Sequence, residues 1–197
     1  TINNYPIVDE MNTEKREKNT LVYVGFISEI RGIKELIKSL NKSEKVMKLN
    51  LIGNFKSQRL YNEVKKYKGW KKVRYYGKLE RKEVKNILSK SEVGIVPFYP
   101  EPNHIESQPN KLYEYMESGL PVIISNFKKW EKFVNKHQCG YVFDPLNVND
   151  ISKVCNKIFK NKELLKLMST NSRNVIKKKF SWKNEENKLL KIYDGLL

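Results

Sequence analysis

Short apolar runs alternate with amphipathic stretches along most of the chain. Runs rich in β-branched and aromatic side chains predict strands over residues 20–25, 47–53, 72–77, 92–98, 121–125 and 140–143. Apolar residues at helical spacing predict helices over residues 33–40, 58–68, 81–90, 111–118, 129–136, 148–159, 162–179 and 183–196. This alternation predicts an α/β fold with a doubly wound, Rossmann-like parallel sheet that helices cover on both faces.

The ends of the predicted strands are where we expect a ligand site. Each strand is followed by Gly, Pro, Asn or Ser, which lets the backbone turn tightly and approach a ligand. Sheets of this kind bind ligands at the carboxyl ends of their strands, near the point where the strand order reverses. Functional residues are therefore expected in the loops that follow the strands.

The composition fits one globular domain with a strong positive charge. The 197 residues are 39% hydrophobic, which is enough for a real core. The net charge of +17 has three interpretations: nucleic-acid binding, attraction to an anionic membrane surface, or a general compositional bias. The basic residues are spread along the whole chain, and no nucleic-acid-binding motif with an aromatic platform occurs. Compositional bias is preferred, membrane contact comes second, and nucleic acid is not an expected partner.

The cysteines and histidines predict neither a disulfide nor a metal site. Cys139 and Cys155 lack metal-ligand spacing and are expected to be buried thiols in a reducing compartment. His104 and His137 are the only histidines, and neither lies in a ligand array. His104, in the loop before Glu106, could be a general acid or a phosphate donor, and a polar loop residue is the preferred interpretation. No apolar run is long enough to cross a membrane, and no signal peptide opens the chain. We expect a cytoplasmic protein, with peripheral contact at the inner membrane face left open.

Residues 106–123 carry the most informative motif. Glu106 and Glu114 stand eight positions apart, and the second opens a run of the form Glu-x-Met-x-x-Gly-x-Pro-Val-Ile. This run resembles the signature of the retaining glycosyltransferases of the GT-B fold, family 4, also called glycosyl transferases group 1. The variant Pro-Asn-Lys-Leu-x-Glu-Tyr-Met, which begins here at Pro109, is common among the cell-surface polysaccharide enzymes of that group. The resemblance extends over residues 20–197 in order and spacing.

A helix that begins within this motif would present an anion site. Ser107 is a good N-cap, and Pro109 suits a first helical turn. The free amides of that turn, at Asn110, Lys111 and Leu112, would bind a diphosphate.

The resemblance also assigns roles to the two glutamates. Glu114, one turn into the helix, would accept hydrogen bonds from a ribose diol. Glu106, on the loop before the helix, would face the donor sugar or its phosphate and act as a catalytic residue.

The loop from Gly25 resembles the family's first strand-end loop, in which Gly is followed by Arg and, five positions further on, by Lys. Here Phe26 replaces the Arg, and Arg31 replaces the Lys. Arg31 can still bind a diphosphate through its guanidinium fork and is expected to act as a catalytic residue. The missing base at position 26 either lowers the affinity for the donor or is compensated by another base, such as Lys34 or Lys111.

Two further strand ends complete the expected site. Gly53, after the second strand, resembles the family's Gly-x-Gly turn without its second Gly. Gly77, Lys78 and Leu79, after the third strand, resemble the segment whose backbone meets the nucleobase.

The resemblance implies that this chain is the donor-binding half of a two-domain enzyme. Residues 1–19 would be the linker that follows an N-terminal acceptor domain, and residues 20–197 the nucleotide-sugar-binding domain. The enzyme, of hexosyltransferase type, would move a sugar from a UDP- or GDP-linked donor to a hydroxyl without a metal or other cofactor. The isolated chain is expected to be inactive without the N-terminal domain.

Two other functions stay open. The chain could be a non-catalytic nucleotide-binding module, which the change at Phe26 favours, or a basic nucleic-acid-binding protein.

Overall fold

The computed structural model describes residues 2–9, 15–43 and 47–194. Its strands are β1 (Thr20–Val24), β2 (Lys48–Ile52), β3 (Val73–Gly77), β4 (Val93–Val96), β5 (Val122–Ser125) and β6 (Gly140–Phe143). All pairings are parallel, and the six strands form one sheet in the order β3-β2-β1-β4-β5-β6. The order reverses between β1 and β4, so the switch point of the sheet lies there. The predicted doubly wound α/β fold is confirmed.

The helices cover both faces of the sheet. They are α1 (Ile33–Lys42), α2 (Gln58–Lys65), α3 (Arg81–Lys90), α4 (Pro102–Ile105), α5 (Asn110–Glu117), α6 (Lys128–His137), α7 (Val148–Lys160), α8 (Lys162–Lys179) and α9 (Trp182–Asp194). Short 3-10 helices follow β1 at Glu29–Arg31 and precede β3 at Lys68–Lys72. Helix α3 contacts β1, α5 contacts β4 and α8, and α1 contacts α7.

The central strands are apolar because both of their faces are covered. Every residue of β4 and β5 is buried. The edge strand β3 instead alternates, and it exposes Arg74 and Tyr76. Cys139 and Cys155 are buried free thiols, and burial raises the pKa of each to about 12. Over the described ranges, no helix is long and apolar enough to cross a membrane.

Most element boundaries agree with the sequence prediction. The predicted limits of helices 81–90 and 162–179 and of strand 140–143 are those of α3, α8 and β6. The helix predicted over 58–68 is shorter and is followed by a 3-10 turn, and the short helix α4 lies between the predicted strand 92–98 and the predicted helix 111–118, where no element was predicted. Residues 10–14 of the predicted linker and 195–196 of the last predicted helix lie outside the described residues.

The N-terminal segment, residues 2–9, lies against α5, α8 and α9. The Tyr5 ring packs edge-on against Tyr113 of α5, with ring centroids 5.0 Å apart. The backbone amide of Trp182 donates to the carbonyl of Pro6 at 2.8 Å. The buried guanidinium of Arg173 donates to the carboxylate of Glu117 at 2.8 Å and to the carbonyl of Asp9. These contacts join the N-terminal segment to the helices behind the switch point.

Tyr115 fixes α5 to the switch point. Its fully buried ring covers Gly94 of β4, where a Cβ atom would lie 2.3 Å from the ring. The amide of Gly25 donates to Ile52 in β2, so the preceding amide, that of Val24, faces the β4 side. That amide donates to the hydroxyl oxygen of Tyr115 at 2.8 Å. The Tyr115 hydroxyl of α5 thus provides the acceptor that β4 does not supply to the Val24 amide.

The substitution Tyr115→Phe tests this contact. It removes the acceptor of the part-buried Val24 amide and should lower the free energy of unfolding by about 0.5–1.5 kcal/mol. Tyr193→Phe, at a ring that is 59% exposed, is the matched control and should change little. Urea unfolding of the two variants measures the difference, and equal stabilities would show that the hydroxyl contributes nothing.

Candidate functional site

Three glycines close the ends of β1, β2 and β3. The amide of Gly25 donates to the carbonyl of Ile52 at 2.9 Å, and that of Gly53 donates to the carbonyl of Gly77 at 2.7 Å. At Gly53, φ is +133°, and a Cβ atom there would lie 1.9 Å from the Gly25 carbonyl oxygen. Only glycine fits at position 53, and the predicted strand ends do lie side by side.

A cavity of about 280 Å³ opens at these strand ends. Its lining residues are Val24, Gly25, Phe26, Ile52, Gly53, Asn54, Lys78, Leu79 and Val84. The structure therefore brings together four of the predicted donor-binding residues, which lie in three different loops. The Phe26 side chain, 47% exposed, stands at its edge.

A larger cavity of about 610 Å³ lies beside the first. The N-terminal segment, α3, α5 and the start of α9 line it, and Val24 and Val84 line both cavities. Asn110 and Glu114 face the larger cavity from α5. Because Glu114 is exposed, its carboxylate is available to a ligand.

The start of α5 differs from the sequence prediction. The N-cap is Pro109, in extended conformation, and the first helical residue is Asn110. Ser107 is not the cap, because its hydroxyl donates to the carbonyl of His104 at 2.8 Å. The predicted N-cap was therefore wrong by two positions.

One of the three amides expected to bind an anion is already engaged. The Leu112 amide donates to the carbonyl of Pro109 at 2.9 Å, and the Leu112 side chain is buried. This tight first turn removes Leu112 from the set of free donors and corrects that prediction. The roles of Asn110 and Lys111 stay predictions.

Glu106 and His104 lie in the segment between β4 and α5. Glu106 is exposed at the end of α4, is not among the lining residues of either cavity, and accepts a hydrogen bond from Lys129 Nζ to its carbonyl at 2.9 Å. The His104 ring is buried, packs on Phe98 with centroids 4.7 Å apart, and has Nδ1 3.0 Å from the Tyr99 carbonyl oxygen. His104 is therefore a packing residue, and the expectation of a polar loop residue was wrong.

Arg31 lies directly above the end of β1. Its guanidinium is 5.9 Å from the Phe26 ring centroid and 5.3 Å from that of Phe98, and it donates to the Phe26 carbonyl at 3.4 Å. One of its nitrogens is 3.6 Å from the position that a Cβ of Gly25 would take. The guanidinium and the first glycine turn therefore form one surface.

Lys111 reaches the same turn from α5. Its Nζ lies 4.6 Å from the Tyr23 ring centroid and 5.0 Å from that of Phe98, against the open face of Gly25. The Nζ atom is buried and has no hydrogen-bond partner within the described part of the chain. Burial first, and then the charge of Arg31, lower the pKa of Lys111 to about 7, whereas Glu114 acts in the opposite direction.

The sequence did not predict the buried residues that pack under Lys111 and the start of α5. Tyr23, Phe98 and Tyr115 are buried aromatic side chains that hold Lys111 or α5 in place. Their apolar character is that of any core residue, so the sequence carries no signal that distinguishes them.

The chain belongs to the glycosyl transferases group 1 family, whose model matches residues 7–175. A search of the curated proteins finds no match.

The fold is similar to that of solved glycosyltransferases of the GT-B type. A mutant of S. aureus TarM in complex with UDP has a TM-score of 0.80 at 16% identity, with 98% of this chain and 39% of that chain covered. Sucrose-phosphate synthase from Thermosynechococcus elongatus has a TM-score of 0.76 at 19% identity, with 91% and 46% covered. Anabaena HepE in complex with UDP-glucose has a TM-score of 0.75 at 13% identity, with 90% and 49% covered. The chain thus spans less than half the length of these structures.

A pair of alanine substitutions tests the packing of the strand ends. Gly53→Ala meets the Gly25 carbonyl, whereas a Cβ at Gly77, where φ is +68°, meets open space. Gly77→Ala should cost about 1–2 kcal/mol from its left-handed backbone alone, and Gly53→Ala roughly twice as much or more. Thermal or urea unfolding compares the two, and equal costs would contradict the close approach.

Burial of the Lys111 amine is expected to lower the free energy of unfolding by an amount that depends on pH. The unfolded chain, with Lys111 at a normal pKa, binds more protons than the folded chain between about pH 7 and 10. The free energy of unfolding of the native chain should therefore rise with pH across this window relative to that of Lys111→Met. Below about pH 7 the destabilisation by the buried ammonium should be at its maximum. Urea unfolding of both proteins at pH 6, 8 and 9.5 measures this difference, and a constant difference would contradict the burial of Nζ.

Proposed function

We propose that this chain is the donor-binding half of a retaining glycosyltransferase that uses a nucleotide diphosphate sugar, linked to UDP or GDP. The observation that carries the proposal is the meeting of the α5 N-terminus, Arg31 and the Gly25 turn at the switch point of the sheet. Free amides, a helix dipole and a guanidinium on one surface suit a diphosphate.

The two cavities suit the rest of such a donor. The smaller cavity, between Gly53 and the Lys78-Leu79 segment, would hold the base against backbone and apolar side chains. Glu114, in the adjoining cavity, would accept hydrogen bonds from the ribose hydroxyls. Among the similar structures, TarM was solved with UDP and HepE with UDP-glucose, which agrees with this assignment.

The chemistry needs charge stabilisation on the departing diphosphate. The amides of Asn110 and Lys111 and the guanidinium of Arg31 would stabilise the negative charge that develops when the sugar leaves. Glu106 would orient the donor sugar from the loop before α5. With these groups in place, transfer to a hydroxyl with retained configuration would proceed without a divalent metal.

A second Rossmann-like domain would supply the acceptor site. The matched structures are about twice as long as this chain or longer, and an acceptor domain in the remaining length would face the donor across a cleft. The Pro-Asn-Lys-Leu pattern of residues 109–112 favours an acceptor in cell-surface polysaccharide synthesis.

A non-catalytic nucleotide-binding module is the second candidate. The uncharged Phe26 at the edge of the smaller cavity favours it, because this side chain cannot bind phosphate as the family's Arg would. Nucleotide binding without transfer by the chain joined to its acceptor domain would identify the module. Salt-dependent retention on DNA without a response to nucleotides would identify a nucleic-acid-binding protein instead.

Calorimetric titration with UDP and GDP tests the proposal. Glu114→Ala should weaken binding of the preferred nucleotide about tenfold, because it removes charge-assisted hydrogen bonds to the ribose. Glu131→Ala, an exposed carboxylate on α6, is the matched control and should bind like the native chain. Failure of the native chain to bind either nucleotide, or equal binding by Glu114→Ala, would refute the proposal.

A further inference from the structure

Lys111 carries a buried amine whose immediate neighbours are two aromatic rings and a glycine turn. Its Nζ is covered by the rings of Tyr23 and Phe98 and by the face of Gly25, and it lacks a hydrogen-bond partner among the described residues. A buried polar group without a partner is costly and calls for an explanation. Here the group stands at the turn where the diphosphate is proposed to bind.

The neighbouring bases do not share this state. Lys34, the other base considered for the missing charge, is held by Glu29 and Glu63, each at 2.9 Å from its Nζ. Arg31 already donates to the Phe26 carbonyl and lies over two aromatic rings. Lys111 is thus the better candidate to move, because its release breaks no hydrogen bond to a described residue.

We propose that Lys111 is a mobile diphosphate-binding residue, which packs against Tyr23 and Phe98 before a nucleotide sugar binds and moves onto the phosphates when it does. This inference rests on the proposed function and adds a second cation to the charge of Arg31. A flexible lysine stem allows this movement, and the aromatic faces hold the amine until an anion displaces it.

Nucleotide binding is then coupled to proton uptake. The charged groups that act on Nζ are Arg31 after β1 and Glu114 on α5, and the titratable Tyr23 of β1 faces it with its ring. Burial and Arg31 favour the neutral amine before the nucleotide binds, whereas two phosphate charges favour the ammonium. Above neutral pH the bound donor therefore requires a proton that the free protein lacks.

Calorimetry with UDP-glucose and GDP-glucose in two buffers of different ionisation enthalpy measures this proton. These diphosphate diesters exchange no proton of their own near neutrality. For an amine of pKa about 7 that returns to its normal value, uptake should be about 0.9 proton per nucleotide at pH 8 and close to zero at pH 6. The native chain thus tests the proposal without any substitution.

Two substitutions at position 111 separate charge from proton uptake. Lys111→Met should weaken binding about tenfold or more and abolish the uptake, whereas Lys111→Arg should keep most of the affinity and also lose the uptake. Lys132→Met, which removes an exposed charge on α6, should keep both.

The outcomes distinguish this inference from the proposed function. Native-like affinity and proton uptake in Lys111→Met, with weakened binding in Glu114→Ala, would overturn the role of Lys111 and leave the donor site standing. No binding of either nucleotide sugar by the native chain would overturn both. Proton uptake that Lys111→Arg retains would assign the proton to another group and also overturn the inference.

Discussion

The contact between Tyr115 and the end of β1 is the constraint on which the rest of the site depends. Gly94 leaves room for the ring. The Tyr115 hydroxyl accepts a hydrogen bond from the Val24 amide, which β4 does not pair. The contact fixes the position of α5 relative to the first glycine turn. Together with the packing of α5 on β4 and α8, it sets the distance of the α5 N-terminus and of Lys111 from Gly25.

Around this contact, the strand ends and the start of α5 form a surface that is positively charged at one side and negatively charged at the other. Arg31 and the free amides of α5 make the part nearest Gly25 electropositive, and Glu114 places a carboxylate one helical turn away. An extended ligand with an anionic middle and a hydroxyl-bearing end matches this order of charges. A nucleoside diphosphate has that order, which is why family membership and local geometry lead to the same proposal.

The sequence predicted the sheet and most boundaries because they depend on local periodicity and on glycine at strand ends. It misplaced the start of α5, since Ser107 and Pro109 both suit a helix start. In the structure the Ser107 hydroxyl donates to the carbonyl of His104, whose ring packs against Phe98, and spacing alone does not reveal this contact. Lys111 was predicted to bind the donor, but the burial of its amine depends on the rings of Tyr23 in β1 and Phe98 after β4. Neither ring is identifiable from spacing.

A crystal structure of this chain with bound UDP-glucose tests the central claim most directly. The account predicts a diphosphate within hydrogen-bond distance of the Asn110 and Lys111 amides, with the ribose hydroxyls on the Glu114 carboxylate. A nucleotide seated elsewhere on the sheet, or a diphosphate that leaves the start of α5 untouched, would contradict it.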